Sequence, residues 1–153
     1  MTIDDRLKEL GIELPQAAAP VASYVPVVTL GSLAHVSGQL PFIDGELVTG
    51  RLGEDVEIEF GIRAARACGL MILAQLKAAL GSLDKVERVV KLGGFVNSHG
   101  AFTDQPKVVN GASDLMVDVF GEAGKHARSA VGVPVLPLGA AVEVDAVVAL
   151  VSA

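Results

Sequence analysis

The segment from Glu54 to Leu80 constrains the fold more than any other part of the sequence. Its apolar residues fall at positions 60, 64, 67, 68, 71, 74 and 78, which is close to the 3.6-residue period of a helix. Gly81 follows immediately and is a typical helix stop. The pattern therefore predicts one long amphipathic helix, whose apolar face needs a second layer to pack against.

The segments on either side of this helix are typical of β-strands. YVPVVTL and LAHVSGQL precede it at hairpin spacing around Gly31 and Ser32, and Asp44-Gly45 predicts a second turn. After it, VERVVKLGGFVNS predicts a strand and QPKVVNGASDLMVDVFGEAG a second helix, followed by the strands ARSAVGVPVL and AAVEVDAVVAL. The order β-β-α-β-α-β-β indicates an α+β domain with a single, mainly antiparallel sheet and two helices packed on one face.

The chain is expected to be a single domain over residues 1–153, in which residues 1–20 are an N-terminal extension. TIDDRLKELGIELP has Thr2 as a cap, acids in the first turn and Gly11 as a stop, which together predict a short helix. The following LPQAAAPVAS is typical of an extended connector. Leu14 to Ile43 lacks charged residues, but its four prolines exclude a continuous helix, so we expect no membrane span.

The amino-acid composition limits which partners this chain is expected to bind. Hydrophobic residues make up 51% of the chain and the mean hydropathy is +0.52, so apolar surface is expected to remain exposed in one copy and to be covered in a homo-oligomer. The net charge of −6 disfavours nucleic-acid binding. Cys68 is the single cysteine, so the chain can form no internal disulfide, which fits the cytoplasm.

Several kinds of catalytic site lack their usual sequence patterns. The three histidines, His35, His99 and His126, are scattered, and with one cysteine they indicate no metal site. LGGFVNSHG lacks the spacing of a Gly-rich phosphate loop, so no cofactor is expected. Ser37 lacks the nucleophile-elbow pattern, and Cys68 lies on the apolar face of the long helix, where an inert buried thiol is expected. Nucleophilic catalysis is therefore not predicted.

Arg128 is the last cationic side chain in the sequence and precedes an uncharged run from Ser129 to Val142. One interpretation is a surface ion pair with Glu122 or Asp118. The other is an anion receptor, because a guanidinium binds a carboxylate through two parallel hydrogen bonds and the neighbouring residues are small.

Glu143, on the next strand along the chain, is the expected second partner of Arg128. Strand alternation places it on the same face as Asp145, and either carboxylate could simply face water. Beside a bound carboxylate ligand, one of them could instead move a proton or orient a water molecule. The sequence alone leaves open which of the two faces a cleft.

Four segments together resemble the RidA/YjgF family, also called the L-PSP endoribonuclease-like family. They are YVPVVTLGSLAHVSGQLP, VVN, HARSAVG and VPVLPLGAAVEVDAV, and the resemblance extends from Tyr24 to Leu150. The chain departs from the family pattern at several positions, among them His126, where the family has proline, and Ala130, where it has cysteine. These departures indicate a divergent branch.

The resemblance implies a homotrimer of chorismate-mutase-like subunits with clefts at the subunit interfaces. It also implies hydrolysis of reactive 2-imino or 2-enamino acids to 2-oxo acids and ammonia. By position, Arg128 would hold the substrate carboxylate and Glu143 would position or activate the attacking water. The other cleft-lining positions carried over from the family are Tyr24, Ser37, Gly38 and Asn110.

Each of these four residues also has a structural interpretation. Tyr24 could be a strand aromatic, Ser37 a turn residue before Gly38, and Asn110 an amide on a helix surface. Two other functions stay open. One is a trimeric binding module for a small carboxylate ligand, and the other, less favoured by the acidic charge, is an endoribonuclease.

Overall fold

The computed structural model describes residues 1–19 and 22–152 and contains two sheets and three α-helices within these ranges. The strands are Val27–Leu30 (β1), Leu33–Gln39 (β2), Phe42–Ile43 (β3), Glu46–Leu47 (β4), Val86–Asn97 (β5), Ala127–Val133 (β6) and Val142–Leu150 (β7). The helices are Ile3–Glu9 (α1), Ile58–Leu80 (α2) and Gln105–Phe120 (α3). Short 3₁₀ turns precede β5, β6 and β7.

The main sheet has five strands in the order β1-β2-β7-β5-β6, and β3 and β4 form a separate small hairpin. β5 and β6 are parallel, while all other neighbours in the main sheet are antiparallel. The predicted α+β fold, with α2 and α3 on one side of the sheet, is confirmed. β6 and β7 follow each other in sequence, but β5 lies between them and β6 forms an edge.

The two faces of the sheet differ in burial. Along β7, the residues Val142, Val144, Ala146 and Val148 are buried and belong to the core beneath α2 and α3. The alternate residues Glu143 and Asp145 are only half-buried, because they point to the side away from the helices. We call that side the open face. The prediction that Glu143 and Asp145 share a face is confirmed.

The long helix is shorter than predicted at its start. α2 begins at Ile58, not at Glu54, because the carbonyl of Arg51 accepts hydrogen bonds from the backbone N–H groups of Glu54, Asp55 and Val56, which closes a turn there. Phe60 was expected on the apolar face but is 42% exposed. Cys68 is fully buried, and burial raises the pKa of its thiol well above the usual value, in line with an inert side chain.

α3 packs tightly across α2, and a glycine allows this. A Cβ at Gly111 would lie 2.0 Å from the carbonyl oxygen of Ile62, so no larger residue fits at the crossing. The close crossing keeps α3 over the edge of the sheet formed by β5 and β6. As a result, Asn110 and Ser113, which lie one helical turn apart, both contact a side chain of β6.

The N-terminal segment has the predicted short helix. Thr2 and Asp5 form a reciprocal capping box at the start of α1. The connector after it is attached to the body of the domain where the Gln75 side chain donates a hydrogen bond to the carbonyl of Ala18 at 2.8 Å. Residues 20 and 21 of the connector, and residue 153, lie outside the described ranges.

The first strand also begins later than predicted. Tyr24 and Val25 precede β1, which starts at Val27, directly after Pro26. Proline has no N–H to donate to a neighbouring strand, which is consistent with a start after it. In the described ranges, no helix has both the length and the apolar composition needed to cross a membrane.

Candidate functional site

Arg128 lies on β6 and points toward α3. It is paired in the sheet with the core residue Leu92, and parallel partners share a face, so its side chain leaves the sheet on the helix side. There its Nη1 donates to Oδ1 of Asn110 at 2.7 Å and to Oγ of Ser113 at 3.2 Å. Both acceptors come from α3, so the position of the guanidinium depends on how α3 packs on the sheet.

These contacts leave one edge of the guanidinium unused. Nη1 carries two hydrogens and has two acceptors, whereas Nε and Nη2 make no hydrogen bond to any described residue. Nε–H and Nη2–H are parallel donors, the arrangement that binds a carboxylate through two hydrogen bonds. Arg128 is therefore held in place on one side and available to an anion on the other.

The ion pair considered for Arg128 is not present among the described residues. Glu122 pairs with Lys125 at 2.7 Å, and the backbone carbonyl of Asp118 accepts from the Arg6 side chain. Arg128 forms no salt bridge in the described ranges. The interpretation as a surface ion pair with Glu122 or Asp118 is wrong, because the guanidinium of Arg128 is bound to Asn110 and Ser113 and Glu122 pairs with Lys125 instead.

Glu143 lies on β7, and a glycine of β2 faces its carboxylate. A Cβ at Gly38 would lie 2.5 Å from Oε2 of Glu143, so the carboxylate rests where a side chain would otherwise project. β2 carries one extra residue opposite β7 between Val36 and Gln39, a β-bulge that turns Gly38 toward Glu143. Burial raises the pKa of Glu143, and the negative charge of Asp145 raises it further.

Ser37 and Tyr24 lie beside Gly38. The hydroxyl of Ser37 donates to the carbonyl of Val25 at 2.8 Å, which ties the segment before β1 to β2. Tyr24 is 53% exposed and borders a cleft of about 190 Å³, together with Gly38, Gln75 and Leu138. Ser37 is thus a strand residue at a bulge, not a turn residue, and Tyr24 is not a strand aromatic.

The predicted site residues and their hydrogen-bond partners form two groups within one chain. The arginine side consists of Asn110, Ser113, His126 and Arg128 and lies on the helix-covered face. The glutamate side consists of Tyr24, Ser37, Gly38 and Glu143 and is built around the open face and the bulge in β2. Arg128 and Glu143 do not meet in a single chain, because β5 separates their strands and they point to opposite faces.

Two members of the arginine side were not predicted as functional. Ser113 lies three residues after Asn110, and this spacing places both on the same face of α3. His126 was recognised from the sequence only as a departure from the family pattern, in place of a proline two residues before Arg128, and not as a site residue. Asp145 shares the open face with Glu143, and burial raises its pKa as well. Among the residues described, His, Cys, Asp and Glu form no group of three that could hold a metal ion.

A comparison with protein-family models assigns the chain to a family. The model described as "YjgF/chorismate mutase-like, putative endoribonuclease" matches residues 4–150. The chain belongs to this family. The RidA/YjgF resemblance in the sequence and the chorismate-mutase-like fold are both confirmed by this match and by the structural neighbours.

Two relatives are similar over most of their length. Protein TCP17 of Trypanosoma cruzi is 58% identical over 146 residues, which are 94% of this chain and 91% of that protein. A 2-iminobutanoate/2-iminopropanoate deaminase of Dermatophagoides farinae is 29% identical over 142 residues, 91% of this chain and 94% of the relative. One of the two relatives is thus an imino acid deaminase, at the lower of the two identities.

The solved structures that resemble this chain differ in how closely they superpose on it. The protein Atu1372 of Agrobacterium tumefaciens, of unknown function, has a TM-score of 0.90 at 52% identity and covers 97% of this chain and 92% of its own. A "putative endoribonuclease" from Shewanella oneidensis has a TM-score of 0.94 at 38% identity, and the match covers 98% of this chain and 100% of that one. RidA from an Antarctic Psychrobacter has a TM-score of 0.60 at 28% identity, and the match covers 90% of this chain and 98% of that one. The lower score for RidA agrees with a divergent branch of the family.

Proposed function

We propose that this protein hydrolyses reactive 2-imino or 2-enamino acids to 2-oxo acids and ammonia. In this proposal, the free edge of Arg128 binds the substrate carboxylate and Glu143 positions the attacking water. Tyr24, Ser37, Gly38 and Asn110 line the cleft. The deaminase relative supports the reaction class, and the geometry of Arg128 supports the class of ligand.

The observation that carries the proposal is the unused Nε and Nη2 edge of Arg128. A half-buried guanidinium with no acidic partner among the described side chains attracts an anion. Asn110 and Ser113 hold Nη1 before any ligand arrives, so little ordering of the side chain remains to be done on binding. A planar carboxylate matches the two remaining parallel donors.

The reaction needs water and a group that moves protons. Water oxygen bonds to C2 of the imine while the C2–N double bond becomes single, and a carboxylate at Glu143 takes the proton from the attacking water. The protonated carboxyl then gives this proton to the nitrogen, which produces a 2-amino-2-hydroxy acid. The carboxylate next moves the hydroxyl proton of this intermediate to the nitrogen, the C2–N bond breaks as ammonia leaves, and the oxygen on C2 becomes a carbonyl oxygen. Because its pKa is raised, Glu143 is a stronger base than an exposed glutamate, and a larger share of it carries the proton at a given pH.

The cleft is proposed to lie between two copies of a homotrimer. Arg128 and Glu143 point to opposite faces of one sheet, so a site with both requires Arg128 from one copy and Glu143 from another. The open face and the segment before β1 carry exposed apolar side chains that a second copy would cover, including Val25, Val28 and Leu33. Pairing of equivalent subunits around a rotation axis would produce one such cleft per subunit.

The first experiment is an assay of imine hydrolysis. An amino-acid oxidase generates imino acids in place, semicarbazide traps what remains, and wild type is compared with Arg128→Ala. Loss of the binding guanidinium should lower kcat/KM by about 100-fold or more. Arg63→Ala is the matched control, since Arg63 is an exposed arginine on α2 that lies over the ring of Phe60. No acceleration by wild type with aliphatic and aromatic imino acids would refute the hydrolase.

A second candidate is a binding module for a carboxylate metabolite. It is favoured by the fact that the arginine side is complete within one chain and does not depend on Glu143. Titration with an unreactive 2-oxo acid separates the two functions. Binding that requires Arg128, without turnover of any imino acid, would support the module. An RNA-cleavage assay covers the activity in the family description, which the net charge of −6 disfavours.

A further inference from the structure

Ser113 and His126 continue the hydrogen bonds of Arg128 into a chain that ends on the backbone. Nδ1 of His126 lies 2.6 Å from the carbonyl oxygen of Gly124, and Nε2 lies 2.9 Å from Oγ of Ser113. Oγ of Ser113 in turn accepts from Nη1 of Arg128 at 3.2 Å. His126 precedes β6 and Ser113 lies on α3, so the chain joins the helix layer to the edge of the sheet.

The carbonyl of Gly124 sets the direction of these hydrogen bonds. A carbonyl oxygen only accepts, so Nδ1 of His126 must carry the hydrogen, and in the neutral ring Nε2 then carries a lone pair. Nε2 accepts the single hydroxyl hydrogen of Ser113. With that hydrogen directed at His126, the lone pairs of the Ser113 oxygen are available to Arg128.

We infer that His126, acting through Ser113, is a positioning residue that holds the guanidinium of Arg128 with its Nε and Nη2 edge toward the ligand. Asn110 accepts from the same Nη1, but one acceptor leaves the second Nη1 hydrogen free to compete for the ligand. Ser113 accepts this second hydrogen, and its oxygen is held steadily in the accepting orientation when its own hydrogen is committed elsewhere. His126 provides this commitment, at a position where the family pattern has proline, which has no side-chain nitrogen.

The inference rests on the proposed function for its effect on catalysis, but it also predicts a property of the free protein. If both Nη1 hydrogens are bound, rotation about the Nε–Cζ bond of Arg128 is slowed. Nitrogen NMR should then show separate Nη1 and Nη2 signals for Arg128, assigned by their loss in Arg128→Lys. Ser113→Ala and His126→Phe should each merge the two signals, whereas His99→Phe, a change at an exposed histidine, should leave them separate.

Kinetics test the same chain in the working enzyme. Losing one hydrogen bond to a charged group should raise KM for the imino acid about tenfold in Ser113→Ala and in His126→Phe, with kcat changed less than about twofold. Because the two residues act in series, the double variant should be no worse than either single variant. Ser113→Thr keeps the hydroxyl and should restore a KM close to that of wild type.

The outcomes separate this inference from the proposed function. Separate Arg128 signals that merge in both variants, in a protein without imine hydrolysis, would support the positioning chain and refute the hydrolase. Hydrolysis with an unchanged KM and unchanged Arg128 signals in both variants would refute the positioning chain alone. Additive losses in the double variant, with a lowered melting temperature and Arg128 signals like those of wild type, would reduce Ser113 and His126 to packing residues and also overturn the inference.

Discussion

The arginine side and the glutamate side are prepared for a ligand in different ways. Arg128 is held by side-chain hydrogen bonds from α3, and only one edge of its guanidinium is left free. Glu143 has no side-chain hydrogen bond to the described residues, and its properties come from burial, from the charge of Asp145 and from the space left by Gly38. A single chain thus completes the proposed anion-binding half and leaves the proposed proton-transfer half uncovered on the open face.

This difference indicates a division of labour. Hydrogen bonds fix the orientation of a cation that remains charged throughout, which suits ligand binding. A carboxylate that must accept and release a proton is better served by a raised pKa than by strong hydrogen bonds, which would stabilise its charged form. The open face supplies partial burial in one chain, and a neighbouring copy would increase it.

The largest expected effect comes from mixing two inactive variants. Arg128→Ala and Glu143→Gln should each be nearly inactive, because each removes one half of every cleft. In the proposed trimer, random mixing would combine an intact Arg128 and an intact Glu143 from different copies in about a quarter of the clefts. Denaturing and refolding the two variants together should therefore restore about that share of wild-type activity. If mixing restores nothing while wild type refolds to full activity, the two halves do not come from different copies.

Glu143→Gln alone should separate binding from turnover. Glutamine keeps the shape but cannot take a proton, so kcat should fall about 100-fold while KM changes little. Binding of an unreactive 2-oxo acid, measured by calorimetry, should persist because the arginine side, which holds Arg128, is unchanged. A large rise in KM with an unchanged kcat would assign Glu143 to substrate binding instead.

Gly38→Ala should have a smaller effect on the same side. The added methyl group would lie 2.5 Å from Oε2 of Glu143, and the flexible carboxylate would move away from it. We expect kcat to fall about tenfold because small displacements of a catalytic group are costly, while the melting temperature changes little. Gly100→Ala is the matched control, since a Cβ there would meet nothing within 4 Å and Gly100 has no positive φ.

Asp145→Asn should have the smallest effect, visible in the pH profile. The charge of Asp145 raises the pKa of Glu143, so its removal lowers that pKa, and the acid limb of kcat should move to lower pH by less than about one unit. Ionisation of Asp145 itself opposes folding because burial raises its pKa in the folded chain. At pH 7 the variant should therefore have a slightly higher melting temperature than wild type. At pH 3 the two melting temperatures should be equal, because the carboxyl groups of Glu143 and Asp145 are then mostly protonated even in the unfolded chain. An unmoved acid limb would mean that Asp145 does not influence Glu143.

Much of the fold could be predicted from the sequence because its periodic signals are local. The apolar spacing within α2, the cap at Thr2 and the alternation along β7 depend on neighbours a few residues away. The errors occurred at ends, as at the turn closed by Arg51 before α2 and at Pro26 before β1. Helix and strand ends depend on which backbone groups find partners, and those partners come from other parts of the chain.

The sequence by itself determined the family, the two helices over one sheet and the identity of Arg128 and Glu143 as the residues to examine. Only the tertiary structure decided that β5 separates their strands, that they point to opposite faces, and that Ser113 and His126 join Arg128. The physical reason is that a strand's place in a sheet and a helix's position over it follow from long-range packing, such as the close crossing at Gly111. Sequence spacing records which face a residue shares with its neighbours, but not which other element will cover that face.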